Sequence, residues 1–410
     1  MPVVNILCGS YCGAEAVIRS LAEKTRYTYL DDGFLISETG KRFDIDAGKV
    51  RKALTGKTSI FNKFTHEKER CLACLECVVA DFLQADNILI SGLAGLLIPR
   101  NITHVLKVCL IADMKYRTGF AAGEQKISEK EAVKRVRRED EMLALWVEQI
   151  LGEKDPWAAK LYDIVIPLNK VSHENAVRMV CDNLNNTVLH FSDKSRKAVQ
   201  DFALAAHVKL KLASAGHDVS VSVLDGAAMM EINKHVLMLS SLEEELKKLA
   251  LSVPGVLRAE TKVGPGYYQS DVYRKFDFEV PPQARVLLVD DEREFVETLS
   301  ERLQMRDYAS AAVYGGEEAL SIVEEDEPEV MVLDLKMPGI DGLEVLRQVK
   351  KKHPHVEVIV LTGHGSAEIK KLCLELGACA YLEKPVDIEK LTQAMQDAYK
   401  KVRTSSIKVS

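Results

Sequence analysis

Residues 285–292, RVLLVDDE, and 330–342, VMVLDLKMPGIDG, decide the reading of this chain. Each is an apolar run of strand length that ends in acid, leaving Asp290 and Asp291 past one run and Asp334 past the other. Runs apolar throughout belong in a parallel sheet covered on both faces, and ligands of such sheets sit beyond the carboxyl ends of the strands. Three carboxylates converging there repel one another unless a cation joins them. An all-oxygen donor set with room for water suits Mg²⁺. Two further runs, VEVIVLTGHG (356–365) and AYLEKPVD (380–387), bring Thr362 and Lys384 to the same edge, with Pro385 behind the lysine. That constellation supports phosphoryl transfer to a carboxylate: Asp334 attacks, while the metal and Lys384 neutralise charge on the transferring group. Asp290 and Asp291 are the expected metal ligands, joined by Asp334 and the Lys336 backbone carbonyl. Thr362 and Tyr381 are read as the switch, the hydroxyl following the new phosphate oxygen and the ring swinging inward.

The segment resembles the receiver domain of bacterial two-component response regulators. The acidic pair, the phosphoacceptor aspartate, the threonine and the Lys-Pro step all occur in order over residues 284–400. The resemblance implies a flavodoxin-like, doubly wound (βα)5 sheet, phosphate delivered by a cognate histidine kinase or phosphotransfer protein, and a surface near the last helices that responds to phosphorylation. A homodimer through the receiver is a further partner reading. Capping of the next helix by Asp290 and Asp291, with Lys384 in an ordinary ion pair, would account for fewer of the five positions.

The rest of the 410 residues bounds the function more loosely. At 47% hydrophobic and 28% charged the composition is that of a soluble protein of two to four domains. No apolar run reaches the ~18 residues that would span a bilayer. The opening, MPVVNILCGSYCGAEAV, lacks a basic stretch ahead of its apolar residues and reads as a buried strand, so a cytoplasmic chain with reduced thiols is expected. Between Arg285 and Lys400 there are 14 basic and 24 acidic residues, so that stretch carries −10 and the remainder +4. Its acidity, without a concentrated basic stripe elsewhere, argues against DNA as a partner.

Residues 1–190 alternate strand-like runs (Val3–Leu7, Tyr27–Leu30, Asn87–Ile90, Val105–Ile111, Asp163–Leu168) with helical ones, the pattern of a parallel α/β sheet. The first strand leads into a glycine-containing turn and a helix, as phosphate-binding loops do. With Gly13 as the second glycine of a Walker A pattern, however, Cys8, Ala14 and Glu15 stand at the first-glycine, lysine and hydroxyl positions. GKTS at 56–59 has Arg51 where the first glycine belongs and no strand before it.

This region resembles the cytidylate kinase-like branch of nucleoside monophosphate kinases, implying a P-loop-kinase-like sheet. The residues that carry the likeness are Gly9 to Glu15, NILISGLAG (87–95), VCLIADMKYRTGF ending at Phe120, ISEKEAVKRVRREDE (127–141) and YDIVIPLNKVSHENAV (162–177). It implies a nucleotide site of Gly9, Ser10 and Gly13 with a basic lid of Arg117, Arg135 and Arg138. The alternative is a solvated helix face on which these arginines pair with Glu131, Glu139 and Asp140.

HEKERCLACLEC (66–77) spaces Cys71, Cys74 and Cys77 three apart, which reads either as a redox or metal site or as small apolar residues of a helix. Residues 195–263 follow a helix, strand, strand, helix, strand order with turns at Asp225-Gly226 and Pro254-Gly255-Val256, resembling BON-type α+β modules. A linker at 264–283 and a basic tail at 401–410 complete the expected division. The leading function is a response regulator that takes phosphate on Asp334 and modulates an amino-terminal kinase-like module. A receiver-regulated, active nucleoside monophosphate kinase and a cysteine-based redox or metal sensor are the alternatives.

Overall fold

A computed structural model describes residues 2–55, 59–233, 239–268, 285–304, 308, 310–363 and 366–406. The chain divides into two compact units: residues 1–58 with 67–273, and residues 59–66 with 274–410.

The first unit is built on five parallel strands: β1 (Val3–Cys8), β2 (Thr28–Asp31), β3 (Ile88–Ser91), β4 (Val105–Ile111) and β5 (Ile164–Pro167), in the order β2-β3-β1-β4-β5. All five coincide with the apolar runs of the sequence to within a residue or two at each end. Alternate side chains serve opposite faces. Val3, Leu7, Ile90 and Cys109 meet α2 (Asp32–Phe43), α3 (Ala47–Leu54), α5 (Glu67–Phe82) and α7 (Glu129–Leu151) through Leu35, Val50, Leu75 and Trp146. Val4, Ile6 and Val108 meet α1 (Ala14–Thr25) and α8 (His173–Leu184) through Val17, Leu21 and Val180. Helix α6 (Met114–Gln125) packs on α7 through Ala121, Ala132 and Val136.

The middle segment has the expected element order: α9 (Asp193–Ser214), β6 (Ser220–Leu224), β7 (Ala227–Ile232), α10 (Leu239–Leu251) and β8 (Arg258–Val263). The Asp225-Gly226 turn has φ of 50° and 76°, the left-handed pair that a two-residue hairpin needs. Yet this segment lies in the same compact unit as the parallel sheet, because α9 serves two cores. Its early turns give Val199 and Phe202 to the core under α5, and its later turns give Val208 and Leu212 to the core under β7 and α10. At 1.5 Å per residue its 22 residues extend about 33 Å, long enough to belong to both. Of the expected linker only residues 264–268 are among the described residues, and of the basic tail residues 407–410 are not.

The second unit holds β9 (Val286–Val289), β10 (Ala311–Val313), β11 (Val330–Leu333), β12 (Glu357–Thr362) and β13 (Ala380–Glu383), all parallel, in the order β10-β9-β11-β12-β13. Helices α12 (Gly316–Glu325), α13 (Gly342–Lys352) and α14 (Ala367–Glu375) cover one face, and α11 (Arg293–Gln304) with α15 (Ile388–Ser406) covers the other. This is the doubly wound arrangement. The runs VLLV and VMVL are buried at every residue because both faces of their strands are covered. The short helix α4 (Asn62–Thr65) belongs to this unit.

Candidate phosphoacceptor site

Chain order returns to β9 from opposite sides, since the connection to β10 leaves one way and the next strand, β11, lies on the other. Such a reversal opens a crevice at the carboxyl ends. Asp290 follows β9, Asp334 follows β11, Thr362 ends β12 and Lys384 follows β13. The Asp334 carboxylate is fixed at both oxygens. Oδ1 accepts the backbone amides of Leu335 at 2.6 Å and Lys336 at 3.4 Å, and Oδ2 accepts Lys384 Nζ at 2.9 Å. The turn that follows depends on Gly342, since a Cβ there would stand 2.0 Å from the Asp334 carbonyl oxygen.

Lys384 Nζ also lies 2.6 Å from Asp290 Oδ2 and 3.4 Å from Glu292 Oε1, and sits 4.4 Å from the centre of the Phe295 ring. Burial favours loss of the Lys384 proton, but the hydrogen bonds to Asp290 and Asp334 outweigh it and hold its pKa above the ordinary lysine value. Burial raises the pKa of Asp290, with the Asp334 charge adding to it and the Lys384 ammonium opposing it. An unmatched negative charge is thus concentrated in a nearly water-free pocket, Asp290 being 4% and Asp334 5% exposed.

Among the described residues, the ligand atoms of Asp290, Glu292 and Asp334 lie within 4.8 Å of one another. Three carboxylates, one of them exposed, are a donor set that fits Mg²⁺. The structure brings Asp290, Asp334 and Lys384 together as the sequence pattern expects; Asp291 is exposed and stands outside the group of three, while Glu292, to which the sequence reading gave no role, stands inside it. Its signal was available in the RVLLVDDE run itself. Lys336 is exposed and its amide donates to Asp334. Thr362 is fully buried in the register pair beside Glu383. The Tyr381 hydroxyl is buried without a hydrogen-bond partner among the described residues, and burial raises its pKa.

In the first unit, Gly9, Ser10 and Gly13 form the turn between β1 and α1. A side chain at Gly9 would collide with Ile111 Cδ1 at 2.3 Å, and Gly13 has φ 75°. Arg117, 3% exposed, reaches this turn: Nε donates to the Ser10 carbonyl and Nη2 to the Ser10 hydroxyl, both at 2.7 Å. Its other donors form a fork on Asp140, at 2.9 and 2.6 Å. The guanidinium is therefore committed within the protein. Arg135 donates to Gln125, and both Arg135 and Arg138 are exposed on α7. Glu139 accepts the Tyr11 hydroxyl at 3.1 Å and Glu131 closes a capping box with Ser128. Of GKTS, residues 56–58 lie outside the described residues.

Cys71, Cys74 and Cys77 are free and buried on α5. Burial pushes their thiols up to about 12, 11 and 12. They face the core as small apolar groups.

Residues 286–396 match the response regulator receiver domain family, and residues 3–170 match the cytidylate kinase-like family. Response regulator MprA of Mycobacterium avium is 38% identical over 112 residues, 27% of this chain and 49% of that protein. The MprA of Mycolicibacterium vanbaalenii is 38% identical over the same length, covering 48% of its chain. The protein thus spans about half the length of these curated relatives. Among solved structures, a receiver domain from Clostridium thermocellum shares 32% identity with a TM-score of 0.29, covering 30% of this chain and 98% of that one. The BeF3-activated DrrB receiver domain shares 29% with a TM-score of 0.27, covering 28% and 97%. No helix among the described residues is long and apolar enough to cross a membrane. The carboxy-terminal domain is a response regulator receiver domain, and the amino-terminal domain belongs to the cytidylate kinase-like family.

Proposed function

We propose that the protein is a cytoplasmic response regulator of a two-component phosphorelay: Asp334 accepts a phosphoryl group from a histidine kinase or phosphotransfer protein and thereby modulates the kinase-like domain. The observation that carries this is the convergence of Asp290, Asp334 and Lys384, with two backbone amides and one ammonium fixing the Asp334 carboxylate. Asp334 attacks phosphorus, the bond from phosphorus to the donor imidazole nitrogen breaks, and the imidazole keeps the electron pair. Lys384 neutralises charge gathering on the transferred group, an electrostatic contribution magnified by exclusion of water. Asp290, Asp291 and Asp334 with the Lys336 carbonyl would hold Mg²⁺, which would supply positive charge against the acids and the phosphoryl oxygens. Thr362 and Tyr381 act afterwards, the hydroxyl following the phosphate and the ring taking the vacated space.

For the amino-terminal domain, a regulated module is favoured over a working kinase. Ala14 and Glu15 stand at the phosphate-clamping positions, and Arg117 is spent on Ser10 and Asp140. Incubation with acetyl phosphate and Mg²⁺, followed by intact-mass measurement of wild type and Asp334→Asn, tests the core reading. One phosphoryl adduct on the wild type and none on the variant is expected; equal labelling of both, or of neither, overturns it.

A further inference from the structure

Residues 59–66 lie in sequence between α3 and α5, two helices of the first unit, yet they are folded as part of the second. Phe61 is 1% exposed and joins the apolar cluster that contains Val323 of α12 and Leu333 of β11. Ser59, the last residue of GKTS, anchors the segment: its hydroxyl donates to the Asp326 carboxylate just past α12 and accepts the Phe61 amide at 3.0 Å. Asp326 is held in turn by Arg285 Nη1 at 3.5 Å. The amides of Thr65 and His66 close α4 onto the carbonyls of Phe61 and Asn62, and Asn62, Thr65 and His66 are themselves buried.

One buried aromatic ring and a few hydrogen bonds return about as much as the backbone entropy of ordering so short a segment costs, so its attachment is held near balance. Its anchorage also reaches the phosphoacceptor strand. Leu333 and Leu335, the two neighbours of Asp334, belong to the same packed cluster as Phe61.

We propose that Ser59–His66 is an intramolecular docking peptide, captured by the receiver through the Phe61 recess and Asp326, whose attachment conveys the state of Asp334 along the chain to α3 and α5. Capture stands on the packing alone; the conveying step rests on Asp334 being the phosphoacceptor.

Amide hydrogen exchange of the full-length protein, read by mass spectrometry, tests both parts. Amides of residues 59–66 are expected to exchange at least about tenfold more slowly than free chain. Phe61→Ala should bring them to about the free-chain rate, and the milder Ser59→Ala should bring them part of the way. Mg²⁺ with beryllofluoride should change their protection about threefold or more in the wild type and leave Asp334→Asn unmoved. Exchange at the free-chain rate in the wild type overturns the capture. Unaltered protection of 59–66, while the loop after β11 responds to beryllofluoride, overturns the conveying role alone. Failure of that loop to respond removes the phosphoacceptor reading and the conveying role with it, and leaves the capture to its own measurement.

Discussion

Lys384 Nζ stands 2.9 Å from Asp334 Oδ2 across 50 residues of sequence, and the same ammonium lies 2.6 Å from Asp290. One cation thus holds two buried carboxylates that would otherwise repel. Replacing it with an apolar side chain of similar length, Lys384→Met, leaves both acids uncompensated. A loss of about 3 kcal/mol in receiver stability is expected, measured by thermal unfolding. Mg²⁺ should raise the unfolding temperature of the variant more than that of the wild type, since the divalent ion takes over the neutralisation. Equal shifts in both would mean that Lys384 does not balance these charges.

The three acids of the RVLLVDDE run can be separated by their demand for metal. Asp290→Asn and Asp291→Asn are each expected to raise the Mg²⁺ concentration needed for half-maximal labelling by acetyl phosphate about tenfold or more. Glu292→Gln should change it less than about threefold, since the proposed ligand set has Asp291 rather than Glu292. The opposite ranking of Asp291 and Glu292 would transfer the ligand role to Glu292, the residue the structure places beside Asp334.

Arg117 makes four hydrogen bonds, two to Ser10 in the turn between β1 and α1 and two to Asp140 of α7. Arg117→Ala leaves the Ser10 carbonyl and the partly buried Asp140 without their donor, and should cost about 2–3 kcal/mol of the first unit's stability. Restoring the clamp residue alone, Ala14→Lys, should not produce transfer of phosphate from ATP to CMP, because Arg117 remains committed to Ser10 and Asp140. Turnover clearly above background by the wild type would refute the regulated-module reading, whereas turnover by Ala14→Lys alone would refute only the commitment of Arg117.

The thiols of α5 make an alkaline prediction. Burial raises Cys71, Cys74 and Cys77 from the ordinary value of 9.0 to about 12, 11 and 12, so the folded state holds their protons more tightly than the unfolded state does. That contribution is fully present below pH 9 and is lost as the pH rises from 9 through 12. Urea midpoints should therefore fall across this window, and less steeply in Cys71→Ala. Iodoacetamide at pH 8 should leave all three unmodified in the native protein. Rapid alkylation there would restore the redox reading of the cysteine run.

Much of the site was legible because parallel sheets collect chemistry at strand ends. A residue one step past a strand of the parallel sheet, such as Asp290, Asp334 or Lys384, is carried to the same edge. The strands themselves were legible for the same reason, and β1 to β5 appear where the apolar runs are. Arg117 was less so. Its sequence neighbourhood suggested a phosphate-closing lid, and whether its guanidinium faces a ligand or Asp140 depends on where α6 and α7 meet the first turn, which spacing along the chain does not encode. The joining of residues 195–263 to the first unit was similarly hidden, because α9 has apolar residues for two different cores and only packing shows that both are used at once.

By itself the sequence determined which residues are apolar in long enough runs to become buried strands, and hence which polar residues must emerge together at their ends. Only the tertiary structure decided which of those polar groups neutralise one another and to which unit a short segment such as Ser59–His66 belongs. Burial of Phe61 and pairing of Lys384 with Asp290 and Asp334 depend on distances between residues far apart in the chain, and those distances are set by how layers of side chains pack.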